Sequence, residues 1–129
     1  MNREIESTRK KVIYYENIRG KKPVKEFINE FDDKTKAKIL ARIEVLERYW
    51  HELRRPIADK IENGLYELRI EFAWNNLRII YAYMFRDYIV LLHGFRKKKN
   101  RITENDKIKA RNRMIDFQIR YNEGRIKLI

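Results

Sequence analysis

Three strand-length runs joined by very short links constrain this chain more than any other feature. Residues 65–72 (LYELRIEF), 77–85 (LRIIYAYMF) and 88–95 (YIVLLHGF) follow one another with only a few residues between them. Runs joined so tightly must return antiparallel, because a parallel return needs a crossover of about a dozen residues or more. In the first run Tyr66, Leu68, Ile70 and Phe72 fall on one face, while Leu65, Glu67, Arg69 and Glu71 fall on the other. Asn63-Gly64 is a turn signal before it. Asn75-Asn76 and Arg86-Asp87 are predicted as the two hairpin turns. Arg78 is the single charge in the second run, and the third is apolar on both faces for most of its length. A three-stranded meander follows, with one face that must be covered and one face that carries charge.

The covering elements precede the meander. Residues 11–16 (KVIYYE) read as a first strand. Gly20 breaks the chain, and Pro23 suits the first turn of a helix in which Val24, Phe27, Ile28 and Phe31 recur at helical spacing. Asp32 or Asp33 caps a second helix. Its stripe is Ile39, Ile43, Leu46 and Trp50, widened by Leu40, with lysines, Arg42 and glutamates on the wet side. His51 to Lys60 reads as a connecting loop around Pro56. After the meander, Thr103 caps a last helix with Asp106 three residues on. Ile108, Ile115 and Ile119 mark its apolar face, with Met114, Phe117 and Tyr121 nearby. Gly124 ends it, and RIKLI is a short strand or a loose tail. The predicted order is β-α-α-β-β-β-α. The fold class is α+β: a helical hairpin packed on one face of a small, mainly antiparallel sheet whose other face is open and basic.

Composition narrows the function. Lys and Arg number 31 against 19 Asp and Glu, a net charge of +12. An excess of that size in 129 residues points to a polyanion partner. Residues 93–129 carry two thirds of it, through 12 Lys or Arg and 4 Asp or Glu. With no cysteine and only His51 and His93, thiolate zinc sites, disulfides, Cys nucleophiles and His-rich metal sites are excluded. No apolar run is long enough to span a membrane. The N-terminal residues do not resemble a signal peptide, so a cytoplasmic protein is expected. On the charged sheet face Glu67, Arg69 and Arg78 converge, and Lys97 and Lys98 leave the end of the third run. Such a cluster binds phosphodiesters and can stabilise a phosphoryl-transfer transition state. The alternative is that Arg69 and Arg78 merely pair with Glu67 and Glu71 across the hairpin. His93 is the obvious proton-transfer group, sharing a face with Leu91 and Phe95 if its strand is regular. His51 reads as a helix C-terminal cation. The tyrosines 81, 83 and 88 read as packing residues.

GLYELR (64–69), LRIIYAY (77–83), IVLLHGFRKK (89–98) and a helix containing ARNR (110–113) together resemble the RelE/HigB toxin superfamily. The similarity is greatest to its phage-derived, HigB-like branch, which PVKEFI (23–28) also resembles. The resemblance implies the toxin of a type II toxin–antitoxin pair, a ribosome-dependent mRNA endonuclease working without cofactor or metal. In that reaction a ribose 2′-OH attacks the adjacent phosphodiester. The expected partners are mRNA on the ribosome and a cognate helix-turn-helix antitoxin, with no membrane; the oligomeric state stays open. Carried over by motif, the catalytic set is Arg69, Arg78, His93 and Lys98, with Glu67, Arg96, Lys97, Lys99 and Arg101 as nucleic-acid-binding residues. Glu67 stands where RelE-type toxins often carry a lysine, and the late aromatic of those toxins has no match here. Two other readings share the sequence features: a ParE-like toxin that poisons DNA gyrase, and a non-catalytic basic module that binds RNA or ribosomes. The toxin domain is expected over residues 1–117, with 1–10 as a loose lead-in and 118–129 as an extension of the last helix or a tail.

Overall fold

The structure is a computed structural model that describes residues 10–98 and 101–128. Its strands are β1 (Lys11–Tyr14), β2 (Ala58–Glu62), β3 (Leu65–Phe72), β4 (Asn75–Met84) and β5 (Tyr88–Arg96). Its helices are α1 (Pro23–Asn29), α2 (Asp33–Tyr49) and α3 (Glu104–Asn122). The strands form one sheet in the order β1-β5-β4-β3-β2, with β1 parallel to β5 and every other pairing antiparallel. The fold is α+β, as the patterning predicts, with one strand more than expected.

That extra strand is β2, which begins inside the segment expected to be a loop. Its sequence, ADKIE, has no apolar alternation to betray it. It forms because β3 offers it a free edge, and Ala58, Asp59 and Lys60 pair with Leu68, Glu67 and Tyr66. A short, charged edge strand of this kind also discourages pairing with other chains.

The two sheet faces support two separate cores. On the first, α1 and α2 bury Val24, Ile28, Ile39, Ile43 and Leu46 against Leu68, Ile70, Leu77, Ile79, Tyr81, Ile89 and Leu91. Asp32 accepts the backbone N–H of Thr35 at 2.9 Å and starts α2 as expected. Leu40, expected to widen the stripe, is instead exposed, since the sheet is met only by the narrower Ile39–Ile43–Leu46 line. Tyr66, Tyr81 and Tyr83 pack on one another over the same face, with Trp50 against Tyr83.

On the second face α3 crosses β4 and β5, burying Ala110 and Phe117 against Leu65, Ile80, Ala82, Met84, Val90 and Leu92. Part of the expected open face is therefore roofed. The helix also turns differently from expectation. Ile108, Ile115 and Ile119 point to solvent, each about half exposed. Both stripes fit a helical period. The inward one wins because small Ala110 permits close approach and Phe117 fills the gap beside Tyr15, with ring centroids 5.2 Å apart. Arg120, on the same side, reaches the Glu16 carbonyl at 2.6 Å and Asp116 at 2.7 Å. Thr103 and Asp106 exchange hydrogen bonds at the start of α3, and Gly124 ends it with φ +72°.

The first hairpin turn sits earlier than expected, and the second holds the expected Arg86-Asp87 with Phe85 before it. Phe72 pairs with Asn75, so Ala73-Trp74 is the first turn and the asparagines already belong to β4. Met84 pairs with Tyr88, which makes Phe85–Asp87 the second. All of Ala73, Trp74, Phe85 and Arg86 have positive φ, a region where such residues are seldom found.

Candidate active site

The uncovered part of the second face lies toward the β3–β4 hairpin. Residues alternate across a strand, so Glu67 and Arg69 of β3 share this face. Arg78 joins them because it pairs directly with Arg69 across the ladder. Two guanidinium groups side by side repel, and Glu67 is the group that reconciles them. Its carboxylate is 3.3 Å from Arg69 Nη2 and 3.0 Å from Arg78 Nε. Arg78 is the floor of the cluster, only 3% exposed. It donates further to the Leu77 carbonyl at 2.9 Å and to the Asn76 side chain. Burial presses the pKa of Arg78 down, and the Glu67 charge pulls it back up. Although Arg78 Nε and Glu67 Oε1 are close, the N–H does not point at that oxygen. Those two atoms and Arg69 Nε lack a directed hydrogen bond within the protein. Arg69 is more open and also lies 3.9 Å from Asp59 of β2. The pairing of both arginines with Glu67 was one of the two sequence readings. Glu71, also considered for it, is exposed.

Lys97 completes the cluster. Its backbone N–H donates to the Asn76 carbonyl at 2.7 Å, continuing the β4–β5 ladder past β5. Its ammonium lies close enough to Arg78 and Arg69 that, after burial, their charges lower its pKa. Lys98, the neighbour expected to be catalytic, is exposed and lines a separate pocket of about 230 Å³ with Phe95, Arg96, Lys97, Arg101, Thr103 and Asp106. Four cations and one aromatic ring thus border one concavity beside the buried cluster. Lys99 lies outside the described residues.

His93 reaches the charged face by an irregularity that the sequence does not announce. Tyr81 pairs with Leu91 but Ile80 pairs with His93, so Leu92 is a bulge. Leu91 therefore faces the first core, and His93 shares the second face with Phe95, their rings stacked 5.2 Å apart. In a regular strand all three would share one face. The imidazole is 8% exposed and lies under the first turns of α3. Its Nε2 is 2.8 Å from Asp106 Oδ1, and its Nδ1 is 3.4 Å from Arg113 Nη1. Arginine can only donate, so Nδ1 accepts and Nε2–H donates to the carboxylate. Both nitrogens of a neutral ring are engaged. Burial lowers the His93 pKa, outweighing the pull of Asp106. Burial would raise Asp106, but hydrogen bonds from Thr103 and His93 hold it below the usual carboxylate range. His93 thereby ties α3 to β5 beside the pocket. His51 lies past the end of α2, 3.4 Å from Glu52, and lines a different pocket with Trp50, Asp59 and Tyr83.

A family model described as "Phage derived protein Gp49-like (DUF891)" matches residues 26–115, from α1 through most of α3. The chain belongs to the Gp49-like family. This family is of RelE/HigB type, made up of toxins that pair with a cognate antitoxin. The match includes every described residue of the Gp49-like chain's cluster and pocket, from Glu67 to Asp106. No curated protein matches the chain. Among the described residues no group of three His, Asp or Glu side chains is arranged to hold a metal ion. Among the same residues, no helix is long and apolar enough to cross a membrane.

Proposed function

We propose that this Gp49-like toxin is a HigB-like, ribosome-dependent endoribonuclease that cleaves mRNA by attack of a ribose 2′-OH on the adjacent phosphodiester. One observation carries the reading: the carboxylate of Glu67 lies between Arg69 and Arg78, with Lys97 close by, beside a basic pocket. Cations surround a carboxylate able to take a proton, which is the arrangement a transphosphorylation needs.

In this mechanism Glu67 accepts the 2′-OH proton as the O2′–P bond forms. Arg69, with Lys98 and Arg96 at the rim, binds the phosphate oxygens and meets the charge that develops on them. Arg78 already gives its Nη1 to the Leu77 carbonyl and the Asn76 side chain and lies beside Glu67. It acts as a positioning residue, holding the Glu67 carboxylate in place from 3.0 Å. Lys97, whose pKa is lowered, gives a proton to O5′ as the P–O5′ bond breaks. The products are a 2′,3′-cyclic phosphate and a 5′-hydroxyl. His93 and Asp106 fix the wall of the pocket, and Phe95 supplies a flat surface for a base. The 2′-OH requirement selects RNA over DNA.

Primer extension on an mRNA undergoing translation, with and without the purified chain, tests the reading. Expected are cuts inside the reading frame that vanish when translation is blocked. Intact mRNA accompanied by gyrase-linked DNA breaks would favour the ParE-like reading. Ribosome binding with neither kind of damage would leave a non-catalytic module.

A further inference from the structure

The β3–β4 turn contains the most exposed large side chain among the described residues. Trp74 is 105% exposed and makes no ring stack or cation contact among them. It is held out by an unfavourable backbone. Ala73 and Trp74 have φ of +48° and +72°, the pattern of a type I′ turn, which favours Asn-Gly because a Cβ is crowded there. The β4–β5 turn gives an internal comparison. Phe85 also has positive φ, but its ring stacks 4.2 Å from Tyr121 and lies 5.7 Å from Phe117. Packing holds Phe85, while Arg86 beside it is exposed at φ +70° as Trp74 is at +72°, but Trp74 leaves an apolar ring in water rather than a charge. A large apolar ring left fully in water on a strained turn points to a contact made outside the fold.

What Trp74 would meet follows from its neighbours. Asn75 accepts a hydrogen bond from Arg96, and the Asn76 carbonyl accepts one from the Lys97 N–H at 2.7 Å. The turn is thus fastened to the strand end where the basic run begins. An indole at the rim of a cationic surface suits a polyanion that also offers flat apolar faces. Unpaired RNA is such a ligand, since its bases stack on aromatic side chains while its phosphates pair with Lys and Arg.

We infer that Trp74 is a nucleobase-stacking residue. It holds an unpaired base of the RNA strand whose phosphates run along Arg96, Lys97 and Lys98. The inference rests on the RNA-cleaving reading and extends it, adding a second point of grip beyond the pocket. A purely apolar protein partner would have no use for the surrounding cations.

The test uses a single-stranded RNA decamer, 2′-O-methylated so that the proposed reaction cannot occur. A Trp50→Phe background leaves Trp74 as the sole indole. Saturable quenching of its emission by the decamer is expected. Trp74→Ala should weaken binding roughly 5- to 100-fold, and Trp74→Tyr should restore most of the affinity. The double change Ala73→Asn, Trp74→Gly should raise Tm while still weakening binding, which separates stacking from damage to the hairpin. Binding by Trp74→Ala at full affinity, with unchanged Trp74 emission in the Trp50→Phe protein, would overturn the stacking role and leave the RNA reading intact. No binding to the decamer or to translating ribosomes at low salt would overturn both. Full RNA affinity in Trp74→Ala with loss of antitoxin binding would assign Trp74 to a protein interface and overturn the inference.

Discussion

Glu67 and Arg78 depend on each other, which governs how either can be tested. Removing Arg78 leaves a carboxylate that is 6% exposed without its nearest counter-charge. Breaking such a pair costs about 3–5 kcal/mol, so loss of activity in Arg78→Ala would report unfolding as readily as chemistry. Glu67→Gln keeps the volume and removes the proton acceptor. Cleavage should fall roughly 100-fold or more, and RNA affinity should hold or rise as a negative charge leaves a cationic surface. Unimpaired cleavage by this variant, measured on translated mRNA, would exclude Glu67 as the base. His93 gives a prediction in stability instead. Its folded pKa lies below the ordinary 6.5, so as pH falls the unfolded chain takes up the proton first. Stability is full above about pH 6.5 and is lost as pH falls from there toward the lower folded value. Asp106, Asp116, Asp32 and Asp59, all held below the ordinary carboxylate range, add to acid sensitivity only as pH falls to about 4 and lower. Urea midpoints at pH 7.5 and 5.5 should therefore differ in the parent and converge in His93→Gln. The face on which His93 lies was not legible in the sequence, because one bulged residue, Leu92, reverses the alternation beyond it.

Elements were legible where their apolar period was strong and local. β3 has the predicted limits, Leu65–Phe72, because clear alternation ends at turn residues on its N-terminal side. β2 was missed because an edge strand is specified by its partner rather than by its own side chains. The first turn is shifted because the asparagines that favour a turn are in β4, where they brace Arg78 and Arg96. Docking between elements depends on contacts that no period reveals. Gly94 of β5 lies beneath Phe27 of α1, and a Cβ there would come within 2.4 Å of the ring. Gly94→Ala should destabilise the protein by about 1–3 kcal/mol. Adding Phe27→Leu should recover part of that, as a thermal denaturation series can show. Purely additive losses would mean that the ring moves aside and the close approach is unimportant.

Across the whole molecule, α3 closes the second face by gripping the segment after β1. Arg120 bonds the Glu16 carbonyl and Asp116, while Tyr15 donates its hydroxyl to Asp116 at 2.6 Å. Arg120→Met keeps the apolar stem and should cost about 2 kcal/mol. Tyr15→Phe should cost about 1 kcal/mol, and the double variant should lose less than the sum, because both residues act through Asp116. Strict additivity in chemical denaturation would dissolve that network. The sequence by itself determined the α+β class, the antiparallel meander, the helix starts at Thr103 and at Asp32 or Asp33, and the meeting of Glu67, Arg69 and Arg78 on one face. These follow from period, capping and charge, which act over a few neighbouring residues. Tertiary structure decided which stripe of α3 faces the sheet, that Arg78 became a floor, that Lys97 rather than Lys98 joined Glu67, and that Trp74 was left in water. Each depends on the space left by segments distant in sequence, because burial is settled by packing of the whole chain and not by the local pattern.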